Sequence, residues 1–229
     1  MKRIILAVLM LTLMGCTYDG ALRESFYKSN LANNSNKLQY KVAIVNTSDL
    51  QNAMIQESEG GYKINIKTAP DFANAMKSEL SNVFVKAQLI DTPLQGKDFD
   101  MIVFPKFAYQ MTDSNRFLGN FKYQASLDYI FKDPKTDSTI YQYKANHTIN
   151  YEPPGSVRFL GVITGFTLFV ASPITIPASK EILGDHATGL FESAITKLIA
   201  EQSDQVFLNK KTIDDYFRLG LNGVRKQQL

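Results

Sequence analysis

Residues 120–132, NFKYQASLDYIFK, place Phe121, Tyr123, Ala125, Leu127, Tyr129 and Phe131 at odd positions, with Lys122, Gln124, Ser126 and Asp128 at even ones. Residues 139–151, TIYQYKANHTINY, repeat that parity: Tyr141, Tyr143, Ala145, His147, Ile149 and Tyr151 are odd, and Gln142, Lys144, Asn146, Thr148 and Asn150 are even. Successive side chains of a strand point to opposite faces, so a period of two held this long reads as a strand with one buried face. DPKTDS between the two runs supplies turn residues. The pair is therefore predicted as a long hairpin with one aromatic and one polar face, ended by EPPG at 152–155.

Other elements fit around this hairpin. LQYKVAIVN (38–46) and GGYKINIK (60–67) read as strands, the second with Tyr62, Ile64 and Ile66 on one face. Thr68 and Pro70 form a helix start, with the Thr68 side chain as expected cap. Phe72, Ala75, Met76, Leu80, Val83 and Phe84 then recur at helical spacing. KAQLID (86–91) and DFDMIVFPKFAYQMTD (98–113) read as strands, and Pro105 argues for an edge or a bulge in the latter. A second amphipathic helix is expected to open at Asp185, with Ala187, Leu190, Phe191, Ala194, Ile195, Leu198 and Ile199 on its apolar face, followed by a short helix at 212–221. The order predicts an α+β two-layer sandwich: a mixed or antiparallel sheet with a long hairpin, and two amphipathic helices on one face.

The N-terminus carries a different signal. MKRIILAVLMLTLMGC gives two cations, Lys2 and Arg3, an apolar run from Ile4 to Met14, then Gly15 and the only cysteine, Cys16. This has the charged, apolar and small-residue regions of a secretory leader, and about 11 apolar residues are too few to cross a bilayer core of roughly 30 Å. LMGC resembles the lipobox of bacterial lipoproteins. That resemblance implies cleavage before Cys16 and acylation of its thiol and new amine, and Thr17 in place of Asp implies delivery to the outer membrane. Several acyl chains anchor firmly where one holds marginally. The expected organisation is a signal peptide at 1–15, the lipidated cysteine and a flexible tether at 16–37, and one α+β domain at 38–229 with an apolar insertion at 157–178.

Losing Lys2 and Arg3 with the leader takes 25 basic residues to 23 against 22 acidic, and the formal charge from +3 to +1. No charge block remains that would recruit nucleic acid or an acidic lipid surface. With Cys16 acylated no cysteine is left for a disulfide, so the domain has to hold by packing.

The helix at 70–84, FDMIVFPKFAYQM with the aromatic hairpin, and ATGLFESAITKLIAEQSDQV as closing helix are together similar to YajG-like outer-membrane lipoproteins. More distantly, they resemble the N-terminal domain of TolB, the periplasmic core of CsgG, and transport auxiliary lipoproteins such as PqiC. The resemblance is one of pattern and implies the same sandwich. The apolar insertion departs from it.

No catalytic constellation is present. The two histidines, His147 and His186, form no HExxH or i, i+4 pair, and there is no CxxC, phosphate loop or GxSxG. His147 is expected as a core histidine bonded to a neighbour, and His186 as solvated in the first turn of its helix. Asp98 and Asp100 are expected at the surface. Tyrosines 109, 123, 129, 141, 143 and 151 are expected to pack under helices, with a groove for an acyl chain or glycan as the alternative. The chain is expected to be non-enzymatic, with no metal and no cofactor beyond the acyl chains on Cys16.

From Phe159 to Ser179 there are 21 positions without a charge. A spanning helix over 157–172 would measure about 24 Å, short of the hydrocarbon core. A membrane-inserting hairpin has strand length, but both of its faces are apolar, whereas a pore needs a polar one. The third reading, an apolar excursion buried by the sheet or a second copy or dipped into the leaflet, carries most weight, with Pro173 and Pro177 expected to break it into short pieces. Phe159, Leu160, Ile163, Phe166, Leu168, Phe169 and Val170 are the expected membrane or partner contacts. The role expected is binding or assembly at the outer membrane, through the lipid anchor and a homo-oligomer or envelope partner. The alternatives are an oligomeric secretion or envelope-assembly subunit inserting 157–178 into the membrane, and a lipid or glycan carrier.

Overall fold

The computed structural model describes residues 16–24, 26–28, 37–47, 50, 54–59, 62–115, 120–152 and 172–226. In chain order the elements are β1 (Cys16–Ala21), β2 (Leu38–Val45), β3 (Met54–Glu59), β4 (Tyr62–Lys67), α1 (Asp71–Val83), β5 (Phe84–Ile90), β6 (Met101–Asn115), β7 (Asn120–Lys132), β8 (Thr139–Tyr151), α2 (Ser172–Leu208) and α3 (Lys210–Lys226). A five-stranded mixed sheet in the order β5-β2-β6-β7-β8 carries the helices on one face, and a smaller sheet in the order β1-β4-β3 joins the same core. The fold is an α+β sandwich.

The hairpin follows its parity. Tyr129 lies opposite Tyr143, Leu127 opposite Ala145 and Ala125 opposite His147, so the odd positions of both strands share one face. On β7 that face is fully covered, with Leu127, Tyr129 and Phe131 at 0% exposure. The turn closes by Asp133 N–H to Ser138 O at 2.9 Å, and Asp137 takes a left-handed φ of 57°, which an aspartate tolerates better than most residues.

Helix α1 buries Phe72, Ala75, Met76, Leu80 and Val83 as its spacing predicts, and Ala73 and Glu79 besides; Phe84 opens β5 instead of ending the helix. The N-cap position falls on Pro70, which offers no side-chain acceptor, and the Thr68 carbonyl accepts the Phe72 N–H at 2.9 Å. Pro105 sits two residues beyond Val103, where the β2 ladder on β6 ends, so the proline occupies a locally free edge.

Helix α2 begins at Ser172, thirteen residues ahead of the expected Asp185 start, and runs through Pro173 and Pro177. A proline in the first turn removes an amide that has no intrahelical partner anyway, and Pro177 follows so soon that only one early bond is lost. Helix α3 is also longer than the expected 212–221. It is fixed by Ile213 in the core, by Tyr40 stacked on Phe217 at 4.7 Å, and by the Tyr216 hydroxyl donating to Asp133 at 3.0 Å.

Candidate functional site

Cys16 is the first residue of β1, which runs parallel to β4 in unbroken register from Cys16 opposite Tyr62 to Ala21 opposite Lys67. Leu22 continues the ladder, its N–H donating to Lys67 O at 3.0 Å, and its side chain is 3% exposed. β1 packs on α2 at two points. The Tyr18 ring lies over Gly184, where a Cβ would come within 2.1 Å of Tyr18 Cδ2, and its hydroxyl donates to Asp185 Oδ1 at 3.2 Å. Five residues on, the Arg23 main-chain N–H donates to Glu192 Oε1 at 2.8 Å and its Nε donates to Oε1 and Oε2 at 3.0 and 2.8 Å, with Nη2 also donating to Oε2. The Glu192 side chain is 5% exposed against 70% for Arg23. The hydrogen bond and charge of Glu192 hold the guanidinium pKa above its ordinary value.

The expected tether is therefore structured in its first part. Residues 16–24 are held against the body by a ladder, a buried leucine and an ion pair, while 29–36 lie outside the described residues. The residues doing this, Tyr18, Arg23, Gly184 and Glu192, carry one legible signal: a glycine inside an otherwise good helix, which marks close approach of another element.

The expected contact residues Phe159, Leu160, Ile163, Phe166, Leu168, Phe169 and Val170 lie outside the described residues. The end of the uncharged stretch, from Ser172 to Ser179, forms the first turns of α2 instead of broken short pieces. Among the described residues no helix is long and apolar enough to cross a membrane.

Both histidines lie on the helix side of the sheet. His147 is half-buried on β8, and burial, then the charge of Lys197, push its pKa down against a smaller opposing effect of Glu201. His186 lies well inside α2, half-buried with its ring 5.6 Å from that of Tyr151, which corrects its expected first-turn, solvated position. Asp98 and Asp100 are exposed, and Asp100 accepts the Lys41 N–H at 2.7 Å. Tyr123, Tyr129 and Tyr151 are buried and Tyr109, Tyr141 and Tyr143 half-buried, so among the described residues the tyrosine face is packed under helices. Among the described residues no group of three or more His, Cys, Asp or Glu is placed to hold a metal ion.

Among the described residues no α-helix covers the opposite face of the five-stranded sheet. Near β5 and β2 it holds a small cluster, Ala43, Val45, Ile90 and Ile102 with Phe99 and Phe104 against it. Elsewhere it is polar. Register places Lys41 beside Lys86, and a cross-strand row Lys106, Asp128, Lys144 on β6, β7 and β8. Lys122 and Lys132 share that face, with Lys132 Nζ 2.9 Å from Asp137 Oδ1 and Asp113 opposite Lys122 in register. Asp128 accepts from Gln142 Nε2 at 2.9 and 3.1 Å. Six lysines thus share the strands of this face with the aspartates at 113 and 128.

The sequence matches no family model and no curated protein. Among solved structures it is similar to a Xanthomonas campestris protein of the DUF330 family, at 10% identity over 87% of this chain and 99% of that one, with a TM-score of 0.48. It is also similar to a minor lipoprotein from Acinetobacter baumannii, at 10% identity over 76% of this chain and 96% of that one (TM-score 0.40). Rare lipoprotein B from Shewanella oneidensis matches at 10% identity over 65% and 94% (TM-score 0.28). At this level of similarity these proteins lend the chain no role.

Proposed function

We infer that this chain is a bacterial lipoprotein, cut before Cys16 and anchored to the outer membrane by acyl chains on that residue, whose folded body works in binding or assembly at the membrane surface and not in catalysis. One observation carries this reading: Lys2 and Arg3, the apolar run from Ile4 to Met14 and LMGC ending on the only cysteine stand in the order of a lipoprotein leader and its lipobox. Metabolic labelling of the full chain with palmitate tests it. Label is expected on the full chain and not on Cys16→Ala; an unlabelled full chain ends the reading.

The excess of lysine on the sheet face away from the α-helices supports an acidic partner for that body: six lysines stand there among the aspartates at 113, 128 and 137, spread along three long strands and their neighbours. Lys106→Glu together with Lys144→Glu is expected to weaken retention of the full chain on a polyanionic resin, while Lys77→Glu on the helix side leaves it unchanged. Equal effects from both sites would remove this face from the account.

A further inference from the structure

Tyr18 meets Gly184 and Arg23 meets Glu192, so β1 and α2 run in the same direction. Between those contacts the chain from Tyr18 to Arg23, which runs two residues past the end of β1, advances at most about 17 Å and α2 about 12 Å. Followed backwards, Cys16 lies two residues before Tyr18, about 7 Å, and Lys180 lies four residues before Gly184, about 6 Å of helix. By these rises Lys180 falls at about the level of Cys16 along the direction the two elements share. α2 continues for eight more residues, Ser172–Ser179, whose sequence SPITIPAS holds no charge. Those residues carry its start about 12 Å past that level. The first charged residue of α2 therefore coincides with the level of the anchor, and the segment beyond it is uncharged.

We propose that the N-terminal turns of α2 enter the same leaflet as the acyl chains of Cys16, side by side with them, so that the body is held in one orientation with Cys16 and Lys180 at the headgroup level. This rests on acylation of Cys16. A bilayer is the occupant that fits. Half of a hydrocarbon core of roughly 30 Å is about 15 Å, enough to take the uncharged turns without spanning. A leaflet also accepts a short uncharged segment while leaving charges at its boundary in water. The six-residue β1–β4 ladder, buried Leu22 and the Arg23–Glu192 pair transmit the orientation from anchor to body, which a free tether would not.

Acylation of Cys16 leaves the chain without another thiol, so a single introduced cysteine can be labelled. Full-length acylated Ile176→Cys, carrying a fluorophore, would be placed in phosphatidylethanolamine–phosphatidylglycerol vesicles and compared with Asp204→Cys, at an exposed position farther along α2. The label at 176 is expected to be quenched by nitroxide-bearing lipid and about tenfold less by aqueous iodide than the label at 204. Equal iodide quenching at both positions overturns the proposal. Should Ile176→Cys fail to fold, Ser179→Cys is expected to give intermediate protection, and full exposure there overturns the proposal equally. Intact mass of the same sample separates the two claims: acylated protein with an aqueous 176 defeats only the orientation, whereas an unacylated Cys16 defeats the lipoprotein reading and the orientation with it.

Discussion

Arg23 and Glu192, 169 residues apart, form a forked ion pair in which the guanidinium is exposed and the carboxylate is nearly buried. The asymmetry makes the pair's behaviour predictable, because removing the guanidinium leaves a buried carboxylate with only the main-chain N–H of residue 23 to offset its charge, whereas removing both side chains leaves no buried charge. Arg23→Ala is expected to lower the melting temperature and to release hydrogen-exchange protection in Tyr18–Leu22. The double variant Arg23→Ala/Glu192→Ala is expected to melt above the Arg23→Ala single. A double variant that melts lower would show that the carboxylate is not stranded.

Two glycines of α2 should respond in opposite ways to alanine. Gly189 has open space, its nearest neighbour being Arg23 Nη2 at 3.9 Å, so Gly189→Ala is expected to stabilise by up to about 1 kcal/mol through helix propensity. Gly184→Ala drives a methyl into the Tyr18 ring and is expected to undock β1. Combining it with Tyr18→Ala should restore α2 stability without restoring the strand. Urea unfolding and exchange of β1 amides measure both effects.

Much of the fold was legible where one physical rule acted alone. The β7–β8 hairpin followed from alternation, because one face is buried along its length, and the buried face of α1 followed from its 3.6 period. β3, MIQESE, was not legible: Ile55 is at 0% exposure, but the polar run Gln-Glu-Ser-Glu that follows it makes no period. β1 read as a tether because CTYDGA draws its order from a partner strand and from a glycine on a distant helix. The start of α2 was hidden by Pro173 and Pro177, which mark a break in most contexts but cost little in a first turn and a half. The lysine face was written in the even positions of the hairpin, but its extent depends on β2 and β5 lying alongside.

Gln202 is fully buried on α2, and its Nε2 donates to the carbonyls of Leu127 and Tyr143 on neighbouring strands. Gln202→Leu keeps the volume and removes both bonds. It is expected to cost about 1–3 kcal/mol in chemical unfolding, since two buried acceptors lose a donor. A neutral result would mean that the sheet carbonyls are satisfied without the helix.

Tyr40 donates to Asp214 at 2.9 Å, and burial followed by that bond pushes its pKa up to about 12. A phenol whose folded pKa lies above its unfolded value of about 10 contributes stability that is whole below pH 10 and is lost as pH rises towards 12. Wild type should lose stability over that window more steeply than Tyr40→Phe. His147 has the opposite sign of shift: its contribution is present above about pH 6.5 and declines as pH falls, so His147→Gln should flatten the acid limb. Urea midpoints at pH 5, 8 and 11 check both.

The most direct measurement is the mass of the N-terminal tryptic peptide of the full chain recovered from outer membranes of a Gram-negative host. The account predicts a peptide running from Cys16 to Arg23 and carrying acyl chains on Cys16. A peptide that still contains residues of the leader, or a Cys16 without acyl chains, contradicts it.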